Sequence, residues 1–173
     1  LFEGRDLRGV VTYGTPASST LLRGVAGKGW ADKVIELNRL CLLDNRKNEA
    51  SRLVGASLKM LPHPRIVVSF ADTAQNHEGI VYQATNFIYT GLSSKFMDPK
   101  VKGLEHQHHA TYAHGLTNKQ LIEKHGEENV YFVERSRKHR YLFLVGDRRE
   151  KRAMAKDLLY KQIPYPKRSE VGS

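Results

Sequence analysis

Residues 65–91, RIVVSFADTAQNHEGIVYQATNFIYTG, decide the fold predicted for this chain. Residues 65–70 are short, apolar and β-branched, which is typical of a strand inside a sheet. Residues 71–77 interrupt this pattern with polar side chains and predict a loop. From Glu78 onward the apolar residues recur at helical spacing, so the sequence predicts a helix over residues 78–89, followed by Gly91 as a C-cap.

The predicted helix has two chemically different faces. One arc is apolar, and the opposite arc carries two phenols, an amide and a hydroxyl. A helix face that only meets solvent usually carries Lys and Glu. The polar arc therefore predicts a hydrogen-bonding pocket, with a polar face packed against loops as the alternative. Its members are Tyr82, Thr85, Asn86 and Tyr89.

The composition limits the class of protein. A chain of 173 residues is long enough for one domain with its own core. The sequence has no apolar run long enough to span a membrane and does not open with a signal peptide. Cys41 is the single cysteine, which favours a reducing compartment and predicts a small core residue rather than a nucleophile. The net charge of +10 indicates an anionic partner, and nucleic acid is favoured over a merely soluble basic surface.

The rest of the chain alternates predicted strands and helices. Strands are predicted at residues 7–13 and 34–43, a loop at 14–29 and a helix at 49–61. Residues 130–134 and 139–145 read as a hairpin, and residues 147–160 as a basic helix. Residues 95–128 are predicted as an irregular, histidine-rich insertion that contains a short helix beginning near Thr117. The sequence thus predicts a single α+β domain over residues 1–173, with helices flanking a central mixed, mostly antiparallel sheet in three layers.

This order of elements resembles the fold of the GNAT acyl-CoA-dependent N-acetyltransferases. The pieces VIELNRLCL, VVSFAD, HEGIVYQATNFIYTG, KHRYLFLVG and PYPK give a sharper resemblance. In this order they are similar to the phage Mom family of DNA adenine-modification proteins, a divergent GNAT-like group. The family's N-terminal histidine–tyrosine motif has no counterpart here, so we expect a truncated or unusually short N-terminus.

The resemblance implies an enzyme that acts on DNA. Members of the family convert the exocyclic N6 amine of adenine to a carbamoylmethyl-type derivative, which protects phage DNA from restriction nucleases. The implied partner is double-stranded DNA, the implied compartment is the cytoplasm of the infected bacterium, and acetyl-CoA and iron are the candidate cofactors. Two alternatives remain open: an N-acetyltransferase acting on a protein, polyamine or RNA amine, and a DNA-binding protein without enzymatic activity.

Three residues are the candidate catalytic groups under this resemblance. Asp72 follows a central strand, where a carboxylate commonly faces a ligand crevice, and it is a candidate for a general base or for holding the amine; a turn cap is the alternative. Tyr82 and Tyr89 are candidate proton donors or oxyanion partners. Asn86, between them, has an amide that could read a purine edge.

Further residues are candidates for binding the substrate. Glu36 and Arg39 interrupt an apolar strand, where charges are costly unless paired or functional, and a bulge is needed to bring them to one face. A structural ion pair is the alternative reading for these two. The full predicted substrate-binding set is Glu36, Arg39, Ser69, Gln83, Asn86, His139 and Tyr141.

Cofactor and phosphate contacts complete the prediction. A helix beginning near Asn48 offers free N–H groups to a pyrophosphate, so Asn48, Ser51 and Arg52 are the predicted cofactor-binding residues. His77 is the weak metal candidate, and the histidines at 106, 108, 109 and 114 are interpreted as a DNA-facing segment. The predicted DNA phosphate contacts are Lys138, Arg140, Arg148, Arg149 and Arg152, with a solvated face as the alternative for each.

Overall fold

The computed structural model describes residues 1–44, 46–107 and 109–166, apart from the side chains at positions 109 and 110. The interpretations given for His108, for the side chain of His109 and for the lysine that closes PYPK lie outside the described residues. The chain divides into two compact units. The first unit consists of Leu1–Ser93 with Lys138–Ser173, and the second unit is Ser94–Arg137.

The regular elements have the following bounds. The strands are β1 (Phe2–Glu3), β2 (Asp6–Leu7), β3 (Gly9–Gly14), β4 (Val34–Leu42), β5 (Arg65–Asp72), β6 (Ile88–Leu92), β7 (Met97–Val101), β8 (Val130–Glu134) and β9 (Lys138–Val145). The helices are α1 (Ser19–Ala26), α2 (Glu49–Met60), α3 (Ile80–Ala84), α4 (His109–Ala113), α5 (Asn118–His125) and α6 (Arg148–Asp157). None of the described helices is long and apolar enough to cross a bilayer.

A five-stranded sheet organises the first unit. Its strand order is β3-β4-β5-β9-β6. Only β4 and β5 are parallel neighbours, and α2 is the crossover that parallel pairing requires. The other three pairings are antiparallel. This architecture confirms the predicted α+β class with a mixed, mostly antiparallel sheet flanked by helices.

Both faces of this sheet are covered by apolar side chains. On one face, α2 contributes Val54 and Leu58 to a core with Val67 and Phe87. On the other face, Val25 of α1 and Met154 of α6 pack against Ile66, Val68 and Leu142. Because successive strand residues point to opposite faces, β5 is apolar along nearly its whole length, as the sequence indicated.

The helix predicted for residues 78–89 is shorter than predicted and has only five residues. α3 ends at Ala84, and the chain enters the left-handed region at Asn86, with φ 61°. Phe87 N–H donates to the Tyr82 carbonyl at 2.9 Å and Asn86 N–H to the Gln83 carbonyl at 3.0 Å. These are the two hydrogen bonds of a Schellman cap, with Asn86 in the position usually held by glycine. Ile88 then begins β6, so Tyr89 lies on a strand.

The predicted terminal hairpin is also wrong. β8 pairs with β7 in a separate two-stranded sheet of the second unit. β9 pairs with β5 along all eight residues of both strands, and with β6 on its other side. The reason lies in the continuous apolar run YLFLV of β9, which can be buried only in the middle of a sheet.

Two smaller predictions were also incorrect. The predicted loop at residues 14–29 contains α1, which Ser18 caps by accepting a hydrogen bond from Leu21 N–H at 3.3 Å. Cys41 is exposed rather than part of the core, because it lies near the end of β4, beyond the residues of that strand that pair with β5. The predicted helix near Thr117 is confirmed: Thr117 and Gln120 form a capping box at the start of α5.

The second unit has a small core of its own. β7 and β8 form an antiparallel ribbon. Val101, Tyr112, Ala113 and Leu121 are buried together beside it. Residues 95–128, interpreted from sequence as irregular, thus contain β7, α4 and α5.

Replacing Gly55 by alanine tests the helical geometry of α2 at this position. Gly55 lies in the interior of the helix, and a Cβ added there would meet no atom within 4 Å. Glycine inside a helix costs about 0.5–1 kcal/mol relative to alanine. We therefore expect Gly55→Ala to raise the free energy of unfolding by about that amount in urea denaturation. An unchanged or lower free energy would contradict helical geometry at this position.

Candidate active site

The site lies where β4 and β5 separate. These strands pair only over Val34–Glu36 and Ile66–Val68, at the beginning of the run that each contributes. Beyond this point β5 continues to Asp72 with β9 as its partner, while β4 continues with β3. Parallel strands that part in this way leave a crevice at their carboxyl ends, which is where ligands bind in open sheets of this kind.

A bulge in β4 aims charged side chains into the crevice. Thr12 pairs with Arg39 and the next residue, Tyr13, pairs with Leu37, so Asn38 is the extra residue on β4. One extra residue shifts the alternation of side chains by one position. Glu36 and Arg39, which a regular strand would direct to opposite faces, therefore line the same pocket. The bulge that the sequence required for such a meeting is present.

The pocket is small and strongly polar, with a volume of about 180 Å³. β4 forms one wall, the end of β5 forms another, and single residues from α3 and β9 complete it. A space of this size suits one planar base or a side chain rather than a larger ligand. Its lining residues are Glu36, Leu37, Asn38, Arg39, Leu40, Phe70, Asp72, Tyr82 and Lys138.

Glu36 is a pocket carboxylate whose pKa the protein raises. Its burial raises the pKa above the ordinary value, and the positive charges of Lys138 and Arg39 oppose part of that rise. A carboxylate in this state accepts a proton more readily than an exposed one. Glu36 thus has the properties of a general base, a role that the sequence did not assign to it.

Asp72 combines a structural and a pocket position. One carboxylate oxygen accepts a hydrogen bond from Ala74 N–H at 3.0 Å and caps the 3₁₀ turn that follows β5. The other lies 3.9 Å from the Lys138 ammonium. The turn cap considered from sequence is therefore present, and the same side chain also reaches the pocket.

Tyr82 is the buried donor at the back of the pocket. Burial raises the pKa of its phenol, which keeps the hydroxyl protonated, while a hydrogen bond with Ser69 works in the opposite direction. Ser69 is fully buried and donates its own hydroxyl to the Leu37 carbonyl at 3.3 Å. Ser69 therefore positions Tyr82 and the bulged strand, and it does not line the pocket itself.

A hydrogen-bonded group behind α3 holds the loop before that helix. The Tyr141 hydroxyl donates to the Glu78 carbonyl, and the Gln83 amide donates to the same carbonyl at 3.0 Å and to the Tyr141 oxygen at 3.2 Å. Burial raises the pKa of Tyr141 to about 12. Gln83 and Tyr141, predicted to bind substrate, are thus both engaged with the loop at Glu78.

Tyr89 and His139 form a pair on adjacent strands. The Tyr89 hydroxyl and His139 Nδ1 are 2.7 Å apart, and their rings pack at 5.6 Å between centroids. Burial lowers the pKa of His139, although the nearby Glu78 works in the opposite direction. Neither residue lines the small pocket. The structure does not bring Tyr89 and Tyr82 to one helix face, because Tyr89 belongs to β6.

A second space adjoins the small pocket and has a volume of about 540 Å³. Leu40, Phe70 and Tyr82 line both spaces, so a group bound in one touches the walls of the other. His77 lies on the exposed rim of this larger groove. Among the described residues no three His, Cys, Asp or Glu side chains gather at one point, so the donor set does not assemble an iron centre around His77.

The predicted coenzyme cradle at the start of α2 does not fit a pyrophosphate. Asn48 is in the left-handed conformation without a side-chain cap, and Ser51 donates its hydroxyl back to the Asn48 carbonyl at 3.1 Å. Glu49 is buried in the first turn and lies 3.9 Å from Arg8, which also pairs with Asp44. Carboxylates already surround this helix end and would repel an anion. Arg52 faces a different groove.

The predicted phosphate contacts fall into three groups. Lys138 lines the pocket. Arg140 is half-buried: its guanidinium lies 3.4 Å from the centroid of the Tyr160 ring and donates to the Thr90 hydroxyl at 2.9 Å. Arg148, Arg149 and Arg152 are exposed on α6, beyond the opposite end of β9 from Lys138. Seven residue steps along that strand correspond to roughly 24 Å.

Sequence reasoning missed part of this site. Leu40 and Phe70 belong to apolar runs that looked like ordinary core, and Lys138 was interpreted only as a phosphate contact. The backbone carbonyl of Glu78, which organises the loop before α3, carries no sequence signal. Asn86 lies in the separate groove with Arg52 and not with Asp72.

The raised pKa of Glu36 gives a stability prediction. A carboxyl group whose pKa is raised by folding is held more tightly as the neutral acid in the folded state, so its ionisation destabilises the fold as pH rises through the folded pKa. We expect Glu36→Gln to be more stable than the parent at pH 7 and to lose this advantage at pH values below the ordinary pKa of a glutamate. Thermal unfolding at both pH values tests this; equal stabilities at pH 7 would contradict it.

Comparison with known proteins agrees with the sequence resemblance. The family model of the Mom protein family matches residues 1–167. Methylcarbamoylase mom of Escherichia phage Mu is 30% identical over 180 aligned positions, which cover 96% of this chain and 70% of that protein. Both matches extend over the strands that form the crevice. The chain belongs to the Mom protein family.

Proposed function

We propose that this protein is a DNA-modification enzyme that converts the N6 amine of adenine in phage DNA to a carbamoylmethyl derivative and so protects the DNA from restriction. The observation that carries the proposal is the convergence of Glu36, Asp72, Tyr82 and Lys138 on one base-sized pocket at the parting of β4 and β5. The family membership and the name of the phage Mu relative, a methylcarbamoylase, support the class of reaction.

The size of the pocket requires adenine to leave the double helix. The N6 amine is engaged in base pairing, and enzymes that act on such atoms extrude the nucleotide or use single strands. A pocket of about 180 Å³ accepts one base and excludes a duplex. Phe70 and Leu40 supply apolar wall against which the planar base packs.

The chemistry of adenine assigns roles to the two carboxylates. The N6 lone pair is delocalised into the ring, so the amine becomes a nucleophile only as it loses a proton. Glu36, with its raised pKa, takes that proton. Asp72 accepts a hydrogen bond from Ala74 N–H and lies close to Lys138. It also accepts a hydrogen bond from the second N6 hydrogen and so orients the amine.

Tyr82 connects the acceptor with the donor of the transferred group. It lines both the small pocket and the larger groove, and its raised pKa leaves a proton available for hydrogen bonding to an oxygen that gains charge. The larger groove, of about 540 Å³, has room for a donor. Because the start of α2 does not fit a pyrophosphate, we derive no step through coenzyme A.

Charge supports double-stranded DNA as the macromolecular partner. The chain carries a net charge of +10. On α6 the exposed cations lie opposite the buried Met154, so the helix presents a basic face away from the sheet. Such a face binds phosphates with little regard to sequence and with steep salt dependence. Its members are Arg148, Arg149, Arg152 and Lys156.

The experiment is mass spectrometry of nucleosides from plasmid DNA after expression of the chain in bacteria, beside an Asp72→Asn variant. Asparagine retains an oxygen that can cap the turn at Ala74, so the variant removes the charge and preserves the fold. We expect a deoxyadenosine heavier by the carbamoylmethyl group that disappears in the variant. Unmodified deoxyadenosine, with acylated protein or polyamine amines in the same cells, would identify an ordinary N-acetyltransferase instead.

A further inference from the structure

A separate groove lies at the other end of the sheet from the candidate active site. It has a volume of about 770 Å³ and is bounded by one face of α2 from Ser51 to Lys59, the end of α3, the end of β9 and the start of α6. The length of β5 lies between the groove and the small pocket. Arg65 begins this strand near the groove, and Asp72 ends it at the pocket. Seven residue steps of a strand span roughly 23 Å. No step of the proposed reaction uses this groove.

Three exposed cations line the rim. Arg52 and Lys59 lie on α2, seven residues and thus about two turns apart, so they share one face of that helix. Lys151 reaches the rim from α6. All three side chains are exposed, and none forms a salt bridge with any residue that the structure describes. Three cations that converge without a carboxylate partner favour an anion.

The nearby acidic groups are occupied. Asp147 accepts a hydrogen bond from Glu150 N–H at 2.8 Å, and Glu150 in return accepts from Asp147 N–H at 2.8 Å. This capping box fixes both carboxylates to the start of α6. The second Glu150 contact is to His63 Nδ1 at 3.0 Å. Both carboxylates keep their charge, and Asp147 itself lines the groove, so the lining carries three cations against one carboxylate.

The floor and far wall suit a planar, partly apolar group. Leu58, Leu61, Phe143 and Val145 form the apolar floor. Asn86 stands at the wall in the left-handed conformation that caps α3, and its side-chain amide makes no hydrogen bond to any described residue. An amide offers a donor and an acceptor side by side, which matches the edge of a nucleobase.

From the cations on one rim, the apolar floor and the Asn86 amide on the wall, we propose that this groove is a second binding site, and that its ligand is a nucleotide whose phosphate meets Arg52, Lys59 and Lys151 and whose base meets Asn86. The nucleotide belongs either to a strand of the bound DNA or to a free mononucleotide, since both present the same phosphate and base. The site runs along α2 from Ser51 to Lys59, so it shares Ser51 and Arg52 with the helix start predicted to hold a coenzyme.

The test measures binding of fluorescent adenosine 5′-monophosphate and of a fluorescent eight-nucleotide single strand to the full chain, at fixed ionic strength. Lys59→Glu combined with Lys151→Glu reverses the charge at two of the three proposed anion contacts and leaves Arg52 in place. Asn86→Gly deletes the amide while keeping a residue that tolerates the left-handed backbone. The matched control is Lys28→Glu with Lys47→Glu, two exposed lysines outside the groove, with the same change in net charge.

We expect saturable binding that the groove charge reversal weakens at least tenfold, that Asn86→Gly weakens about threefold to tenfold, and that the control pair changes less than threefold. Binding of the mononucleotide indicates a free ligand, and binding of the oligonucleotide alone indicates a DNA strand. Equal weakening by the control pair, no effect of Asn86→Gly, or no saturable binding of either probe overturns the proposal. Because no adenine modification is read, failure here is distinct from failure of the proposed function.

Discussion

Replacing Glu36 by Gln is expected to reduce the rate of adenine modification by about 10²–10⁴-fold, the usual contribution of a positioned general base. Glutamine has the same shape and cannot take the N6 proton. In the parent the rate should fall as pH drops through the pKa of Glu36, and this fall begins at a higher pH than for an exposed glutamate because burial raises that pKa. The residual activity of the variant should be independent of pH over that range.

The measurement is the initial rate of formation of modified deoxyadenosine in cell extracts buffered at several pH values. Glu123→Gln is the matched control, since Glu123 is an exposed residue of α5 far along the chain from the pocket. It should retain the parental rate. A Glu36→Gln variant with more than half the parental rate would remove Glu36 from the mechanism and leave Asp72 as the remaining carboxylate in the pocket.

Replacing Gly79 by Ala is expected to lower the free energy of unfolding by at least about 2 kcal/mol. Gly79 has φ 71°, a conformation that alanine rarely adopts, and an added Cβ would lie 2.8 Å from Tyr141 Cζ. The Tyr141 ring is fully buried and cannot move aside without breaking its hydrogen bond to the Glu78 carbonyl. The substitution should therefore also disturb α3 and reduce the activity that depends on Tyr82.

Urea denaturation of the two glycine variants tests this. Gly29→Ala is the control, since Gly29 is exposed, has no atom within 4 Å of an added Cβ and does not require a positive φ. It should change the free energy of unfolding by less than about 0.5 kcal/mol. A Gly79→Ala protein as stable as the control would show that the loop before α3 is not held by Tyr141.

Local patterns predicted the elements that depend on local chemistry. β4, α2 and β5 are found close to the predicted bounds because their apolar spacing matches their burial. Pairing over a distance was not predictable in the same way. β9 follows β8 directly in sequence but lies between β5 and β6. It takes this central position because its apolar run is buried there, which the local pattern of the sequence does not show. The predicted end of α3 is wrong because the helical spacing of apolar residues continues past Asn86. The sequence does not show that Asn86 adopts the left-handed conformation and ends the helix.

The same limits apply to the candidate site. The pocket contains Asp72, Tyr82 and Glu36. Their sequence signals were the end of a strand for Asp72, a polar helix face for Tyr82 and an interrupted apolar strand for Glu36. Arg39 reached the pocket only through the bulge at Asn38, a feature that sequence could state as a condition but not establish. The predicted helix placed Tyr89 and Asn86 on one face with Tyr82, but α3 ends before both residues. Tyr89 is hydrogen-bonded to His139, and Asn86 lines a second groove.

The most direct test of the account asks where adenine binds. Random-sequence duplexes that carry 8-azidoadenine are irradiated with the full chain, and the labelled peptides are mapped by mass spectrometry. The account predicts labels on the walls of the small pocket, at Leu40, Phe70 or Tyr82, and their loss when unlabelled duplex competes. Labels confined to α6 and to the groove face of α2, with none on β4, the end of β5 or α3, would contradict the claim that adenine enters the crevice between β4 and β5.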